Sequence, residues 1–198
     1  MKQSGWIAAL VSVAAISSGQ IVMAQQRLIE GVAKSPVHVI IYEDLQCPDC
    51  FTLRTMLDEQ LLPRYATKVR FEHYDFPLAK HTWARKASIA AHFFEETKPG
   101  LGLEYRKYML SHLREIKPEA FNDRLSQFAK EHGADPAKAV ASLTDERLAA
   151  LVEKDYQDGV SRGIAHTPTL LVNGQPFVET FTFEAVAKAI DSELAAAK

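Results

Sequence analysis

The chain contains two cysteines, Cys47 and Cys50, and they lie three positions apart with Pro48 and Asp49 between them. The preceding residues 37–42 are rich in Val, Ile and Tyr and contain no breaker, a composition typical of a buried strand. Pro48 suits the first turn of a helix, where its missing N–H costs nothing. Apolar residues then recur at helical spacing, at Leu53, Met56, Leu57 and Leu61. The sequence therefore predicts a strand, then the cysteine pair, and a helix that begins at the first cysteine.

A redox role explains this pair better than a stabilising one. A disulfide between Cys47 and Cys50 closes so short a loop that it constrains the unfolded chain very little. A thiol attacks disulfides as its thiolate, and the N–H groups and partial positive charge of a helix start favour that form. We interpret Cys47 as the nucleophile and Cys50 as the less accessible resolving thiol. Two other interpretations stay open: half of a zinc site, which lacks a second pair, and an inert buried pair.

The overall composition is that of a single domain with an ordinary surface. The 198 residues carry a formal net charge of -2, with 47% hydrophobic and 24% charged residues. We expect no nucleic-acid partner, because the basic excess that a phosphate backbone requires is absent.

Residues 1–24 have the pattern of a secretory signal peptide. Lys2 supplies the positive charge, residues 6–16 form an apolar run, and small residues precede a cleavage site after Ala24. Export to a periplasm or to the cell exterior would place the cysteines where thiols tend to be oxidised.

The competing interpretation of the N-terminus is an uncleaved membrane anchor formed by residues 6–24, although the polar residues 17–20 interrupt the apolar run. If the signal peptide is removed, residues 25–36 form a short leader and residues 37–198 form the folded domain.

The middle of the chain has an almost wholly helical pattern. A second strand is predicted around Val69 and Phe71, and Pro77 stops it. Helical spacing then predicts an insertion at about 81–163, with helices near 83–94, 103–113, 118–132 and 136–143 and a longer helix that Ser142 and Asp145 open as a capping box.

Strand patterns return near the C-terminus. Residues 169–172 and 177–180 read as strands, and the Asn173-Gly174 pair between them suits a tight type I′ turn. An amphipathic helix at 183–194 follows. The order of elements predicts an α/β sheet domain interrupted by a helical insertion.

Three stretches of this sequence resemble the DsbA-type branch of the thioredoxin superfamily, and in particular its compact secreted members. They are Glu43-Asp44-Leu45-Gln46-Cys47-Pro48-Asp49-Cys50, Asp75-Phe76-Pro77-Leu78 with residues 81–84, and residues 163–169 leading to Val172-Asn173-Gly174. The resemblance implies a thioredoxin-like fold with a helical insertion between an N-terminal βαβ part and a C-terminal ββα part.

The resemblance also implies the surroundings of the cysteines. It makes Thr167-Pro168 a cis peptide bond that faces them, with the backbone of Thr167 beside the disulfide and free to pair with an extended substrate segment. His166 stands where relatives often carry glycine. A protonated His166 would stabilise the Cys47 thiolate, and a neutral surface histidine is the other interpretation.

A second departure from the family concerns a buried acid. Relatives often carry one six residues before the first cysteine, where this chain has Ile41. Glu43 and Asp44 are candidates to replace it, and the alternative for Glu43 is a solvated charge at a strand end. His73 reads as a packing histidine, and His81 matches the family motif without an assigned task.

The sequence predicts a protein thiol-disulfide oxidoreductase that acts on cysteine-containing exported proteins through a mixed disulfide at Cys47. We expect no cofactor beyond the Cys47-Cys50 disulfide, no metal, a monomer, and an unidentified redox partner for which a membrane protein is one candidate. Asp49 is expected to make the pair less oxidising than in relatives with histidine there, because a like charge opposes the thiolate. Alternatives are a reductase or isomerase of the same fold and a non-catalytic peptide-binding module.

Overall fold

A computed structural model of the chain describes residues 28–197. The predicted signal peptide at 1–24 and its alternative, the anchor at 6–24, lie outside the described residues. Between residues 28 and 197, no helix combines the length and the apolar composition that crossing a bilayer requires.

Five strands form one mixed sheet in the order β1-β3-β2-β4-β5. The strands are β1 (Leu28–Gly31), β2 (His38–Glu43), β3 (Arg70–Asp75), β4 (Thr169–Val172) and β5 (Gln175–Val178). Strands β2 and β3 are parallel, and the other neighbouring pairs are antiparallel. Because β2 is the central strand, the cysteine pair that follows it lies beyond the C-terminal end of the middle strand of the sheet.

Helices make up most of the remaining chain. After β2 come α1 (Pro48–Met56), a π-helical turn (Leu57–Leu61) and α2 (Leu62–Tyr65). Between β3 and β4 lie α3 (Ala84–Thr97), α4 (Leu101–Ser111), a 3₁₀ turn (Pro118–Ala120), α5 (Phe121–Glu131), α6 (Pro136–Ala141), a 3₁₀ turn (Ser142–Thr144) and α7 (Glu146–Ser161). Helix α8 (Phe183–Ala196) follows β5. The predicted α/β fold with a helical insertion is confirmed.

Two large apolar cores occupy the interior of the described residues, and the cysteine pair belongs to one of them. One face of the sheet packs against α1 and α8 through residues such as Val39, Phe71 and Ile190. The helical insertion has its own core, which also includes both cysteines and Trp83. Trp83 and Phe94 are buried in this core, and Phe93 packs against it.

Two strand assignments differ from the prediction. Residues 28–31 belong to the predicted leader, yet they form edge strand β1 and pair with β3. Their four residues are too few to show an alternating pattern. Strand β5 spans Gln175–Val178 and not residues 177–180. The predicted two-residue turn is present, with φ angles of 43° at Asn173 and 96° at Gly174, and it pairs Val172 directly with Gln175.

The predicted capping box at the start of α7 is wrong. Asp145 is the N-cap residue, and its carboxylate accepts hydrogen bonds from the backbone N–H groups of Arg147 and Leu148. The hydroxyl of Ser142 instead donates to the carbonyl of Ala139. An aspartate alone can satisfy the free N–H groups of a helix start, so the serine is not required.

Helix α4 lies unusually close to α3, and Gly102 permits this approach. A Cβ atom at Gly102 would lie 2.6 Å from the carbonyl oxygen of Ala91, a backbone atom that cannot move aside. The close packing fixes α4 so that Arg106, one turn further along, reaches the end of the sheet.

Candidate active site

Cys47 is the N-cap residue of α1, and Pro48 occupies the first helical position. This confirms the predicted helix start. Cys47 has extended backbone angles, φ -90° and ψ 124°, so the first N–H groups of the helix are directed towards its side chain. Both thiols are free, Cys47 is 5% exposed and Cys50 is fully buried. Only the first cysteine is therefore within reach of a large reactant.

Several donors converge on the sulfur of Cys47 and lower its pKa to about 6. The largest contribution is a hydrogen bond from the thiol of Cys50. The side chain of Thr167 and the backbone N–H groups of Cys50 and Asp49 also favour the thiolate, and partial burial opposes it. The prediction that the helix start favours the Cys47 thiolate is consistent with these contacts, although the neighbouring thiol contributes more than the helix amides.

Cys50 has the opposite electrostatic surroundings. Burial raises the pKa of Cys50 well above its usual value, and the nearby sulfur of Cys47 and carboxylate of Glu43 raise it further. The backbone N–H of Asp44 donates to the Cys50 sulfur at 3.4 Å. The pair thus contains one thiol that ionises readily and one that stays protonated.

The Thr167-Pro168 peptide bond is cis and lies beside Cys47, as the resemblance implied. The Cys47 thiol donates to the carbonyl oxygen of Thr167 at 3.3 Å. The hydroxyl of Thr167 is buried without a hydrogen-bond partner among residues 28–197, and as a free donor near Cys47 it favours the thiolate.

The other predicted support residues lie at the surface. Pro48 and Asp49 are exposed on the first turn of α1. The side chain of His166 is 57% exposed, and its Nδ1 lies 3.0 Å from a carboxylate oxygen of Glu179. Among the described contacts, none joins His166 to Cys47.

Asp44 holds the loops around the cysteine pair together. Its buried carboxylate accepts hydrogen bonds from the backbone N–H groups of Gln46 at 2.6 Å and Leu78 at 2.7 Å. The imidazole of His81 lies 2.7 Å from the same carboxylate. His81 therefore helps to fix the loop that leads into Cys47, a position that the sequence pattern could not assign.

Glu43 is not a solvated charge, because it is 1% exposed and lies within a buried ionic network. Its carboxylate lies 2.6 Å from His73 Nδ1 and accepts a hydrogen bond from Arg106 Nε at 3.0 Å. Arg106 also donates to Asp75 at 2.6 Å, and His92 lies 2.8 Å from Asp75. His73 is thus a buried packing histidine, as predicted, and both of its ring nitrogens lie within hydrogen-bond distance of carboxylates.

This network keeps its acids ionised. Although burial opposes ionisation, Arg106 and His73 lower the pKa of Glu43 to about 2. Arg106 and His92 hold the pKa of Asp75 far below its usual range. The side-chain ligand atoms of Asp75, His92 and Asp155 lie within 4.8 Å of one another, a spacing that could also hold a metal ion. In this structure the guanidinium of Arg106 supplies the positive charge beside Asp75.

Arg106 and its partners are not among the residues predicted from the sequence, although a signal was present. Tyr105, Met109 and Leu110 form the buried side of α4, and Arg106 lies on that same side. A charged residue within an apolar helix face needs a buried partner of opposite charge. The partner lies on a strand more than 30 positions away, so sequence spacing alone does not identify it.

Replacing Thr167 by valine should remove one hydrogen-bond donor to the thiolate at nearly constant volume. We expect Thr167→Val to raise the pKa of Cys47 from about 6 to about 7, as loss of one charge-assisted hydrogen bond implies. Thiolate absorbance of the reduced protein against pH measures this value. Thr169→Val is the matched control, because the Thr169 hydroxyl donates to the His166 carbonyl instead. An unchanged pKa in Thr167→Val would show that the hydroxyl does not act on the sulfur.

Replacing Arg106 by leucine should leave Glu43 and Asp75 without their cation and destabilise the fold by about 3 to 5 kcal/mol at neutral pH. The folded-state pKa of Glu43, about 2, is below its unfolded value of about 4.3, so its contribution is complete above that value and is lost as the pH falls towards 2. The stability gap between wild type and Arg106→Leu should therefore shrink from pH 7 to pH 3.

Urea unfolding at several pH values measures this gap, with Arg114→Leu as an exposed arginine control that should change stability by less than about 0.5 kcal/mol. A deficit below about 1 kcal/mol, or one that does not vary with pH, would contradict the role of Arg106.

Comparison with known proteins gives relatives of the same fold. The chain superposes on BdbD from Bacillus subtilis with a TM-score of 0.74 at 21% identity, covering 85% of this chain and 93% of that one. For alpha-DsbA1 from Wolbachia pipientis the TM-score is 0.76 at 16% identity, with 88% and 94% covered. At these identities the likeness shows a shared fold.

Curated relatives at the sequence level are two Na(+)/H(+) antiporters of Salinispora. The match to NhaA 3 of Salinispora tropica is 29% identical over 171 residues and covers 86% of this chain, and the match to NhaA 1 of Salinispora arenicola is 27% identical over 168 residues. This chain spans about a quarter of the length of these relatives.

A family model described as Thioredoxin matches residues 24–192, which include the cysteine pair, the cis peptide bond and all five strands. The chain therefore belongs to the thioredoxin family.

Proposed function

We propose that this chain is a protein thiol-disulfide oxidoreductase that exchanges disulfides with exported proteins through a mixed disulfide at Cys47. The observation that carries the proposal is the contrast within the pair, in which the pKa of Cys47 is about 6 and that of Cys50 is raised well above its usual value. Such a contrast assigns distinct roles to two thiols that are only one helical turn apart.

The steps in the oxidising direction follow from these pKa values. A substrate thiolate attacks the Cys47 sulfur of the Cys47-Cys50 disulfide, and Cys50 leaves and takes up a proton. A second substrate thiolate then attacks the substrate sulfur of the mixed disulfide and releases Cys47 as a thiolate. The substrate is oxidised by two electrons and the protein becomes a dithiol. A low pKa makes Cys47 a good leaving group, which favours this direction.

The fold comparisons support the same class of activity. The chain superposes on alpha-DsbA2 from Wolbachia pipientis, described as a thiol-disulfide exchange protein, with a TM-score of 0.72. It superposes on a thioredoxin-like oxidoreductase from Silicibacter pomeroyi with a TM-score of 0.71. Support for extending that activity to this chain comes from Cys47 as the N-cap residue of α1, with Cys50 three positions further along and the Thr167 carbonyl 3.3 Å from the Cys47 sulfur.

We further propose that the protein works in a periplasm or outside the cell, as the predicted signal peptide at 1–24 implies, with the anchor at 6–24 as the alternative. Its partners would be cysteine-containing exported proteins and an unidentified redox partner, and it would act as a monomer with no cofactor beyond the Cys47-Cys50 disulfide. A reductase or isomerase runs the same exchange in other directions, and a peptide-binding module would use the site without exchange.

Removing the nucleophile separates catalysis from binding. We expect Cys47→Ser to lower both insulin reduction and oxidative refolding of a reduced substrate to the uncatalysed rate, because no other thiol within the described residues is accessible. Cys50→Ser should instead accumulate a mixed disulfide with the substrate, visible on a non-reducing gel. Wild-type activity in Cys47→Ser would favour the peptide-binding module.

The charge of Asp49 should tune the redox poise. Replacing it by histidine removes a negative charge two positions from Cys47, so the reduced state should gain stability and the reduction potential should rise by about 20 mV or more. Equilibration against glutathione buffers measures the potential. Asp123→His, on the surface of α5, is the control. An unchanged or lower potential in Asp49→His would show that the charge of Asp49 does not lower the reduction potential.

A further inference from the structure

A groove runs along the protein surface between α1 and α4, and it begins at Pro48, the residue after Cys47. Its first part is a cavity of about 430 Å³ that includes Pro48, Asp49 and Phe51 on α1, with Leu110 and Leu113 opposite. Its second part is a cavity of about 250 Å³ that shares Phe51 and Ser111 with the first and continues to Glu59. We call the two together the α1–α4 groove.

Phe51 gives the near part of the groove an apolar wall that faces solvent. Its side chain is 43% exposed, and the only other large apolar side chains exposed between residues 28 and 197 are Val160 and Val178. An aromatic ring in contact with water is less stable than a buried one. An apolar side chain that binds over Phe51, one turn from Cys47, would remove this ring from water and gain that free energy.

The dimensions of the groove match a short extended peptide. Pro48 and Glu59 are eleven positions apart on helical backbone, which corresponds to about 16 Å at the usual rise. An extended chain covers that length in about five residues. Because the groove begins directly after Cys47, a polypeptide whose cysteine reacts there can place its next residues in it.

The charges along the groove differ between its two ends. At the near end Asp49 and Arg114 have opposite charges, and Glu115, which also lines the cavity, is paired with Arg124 at 3.0 Å. At the far end Asp58 pairs with Lys107 at 3.0 Å and with Arg54 at 2.7 Å. Glu59 makes no hydrogen bond or ion pair within the described part of the chain. Of the four charged residues that line the far cavity, Arg54, Asp58 and Lys107 are paired, and Glu59 is left as the charge available to a ligand.

We propose that the α1–α4 groove binds an extended segment of the substrate polypeptide beside its reactive cysteine, with an apolar residue next to that cysteine and a basic residue about five positions away. This inference rests on the proposed function, because Cys47 must be the atom that the substrate reaches. Phe51, Leu113 and Glu59 would then determine substrate preference.

Activated peptides test the inference. Each probe carries one cysteine in a disulfide with 5-thio-2-nitrobenzoate. The Cys47 thiolate of the reduced protein attacks the peptide sulfur and releases the coloured thiolate, and Cys50 then displaces the peptide thiol and closes the Cys47-Cys50 disulfide. The probes are Cys-Phe-Ser-Ser-Ser-Lys, its Ser-for-Phe and Glu-for-Lys versions, and the same peptides in reverse order.

In at least one chain direction, wild type should react about tenfold faster with the Phe probe than with its Ser version, and about threefold faster with Lys than with Glu. Phe51→Ala and Leu113→Ala should each bring the Phe/Ser ratio of rates towards one. Glu59→Lys should reverse the Lys/Glu ratio. Val160→Ala on α7 and Glu119→Lys on the 3₁₀ turn are exposed controls that should leave both ratios unchanged.

Equal rates for all probes in wild type, or ratios that Phe51→Ala and Glu59→Lys leave unchanged, would overturn the groove proposal alone. If wild type releases no chromophore even from the dimer of 5-thio-2-nitrobenzoate, the proposed function fails and the groove proposal fails with it. Sedimentation velocity tests whether a second copy of this chain occupies the groove instead. A wild-type dimer that dissociates in Phe51→Ala would assign the groove to self-association and overturn the proposal.

Discussion

The sulfur of Cys47 lies where a central strand turns into a helix, and hydrogen-bond donors from three directions meet it. The Cys50 thiol, the Thr167 side chain and the first amides of α1 all favour its charged form. Strand β2 brings Cys47 to this place, and the cis bond at Thr167-Pro168 brings the opposite wall. The reactivity of the pair depends on all of these elements holding their positions.

Below the pair, the charged side chains act by fixed charge. Glu43 has a pKa of about 2 because Arg106 and His73 hold its carboxylate, so it remains ionised throughout the range in which thiols titrate. A carboxylate with so low a pKa is a weak base, so Glu43 is a poor proton acceptor for Cys50. Its charge instead helps to raise the pKa of Cys50 and so to keep the two thiols distinct. Helix α4 thus contributes Arg106 to the support of the pair and one wall of the α1–α4 groove.

Features with local causes could be predicted from the sequence. Pro48 after a cysteine marked the start of α1, and Asn173-Gly174 marked the hairpin turn. The cis bond came from the family resemblance, since spacing alone does not indicate it. Strand β1 exists because β3 offers it a pairing edge, and Arg106 is buried because acids on distant strands meet it. Such contacts between residues far apart in the chain leave no local pattern.

The pH dependence of Cys47 alkylation by iodoacetamide tests the central claim most directly, with the Cys50→Ser variant distinguishing which thiol reacts. The account predicts that the wild-type rate follows a thiolate with a pKa near 6 and is already on its plateau at neutral pH. A rate that keeps rising to a midpoint of about 8.5, the value of an ordinary cysteine, would contradict it.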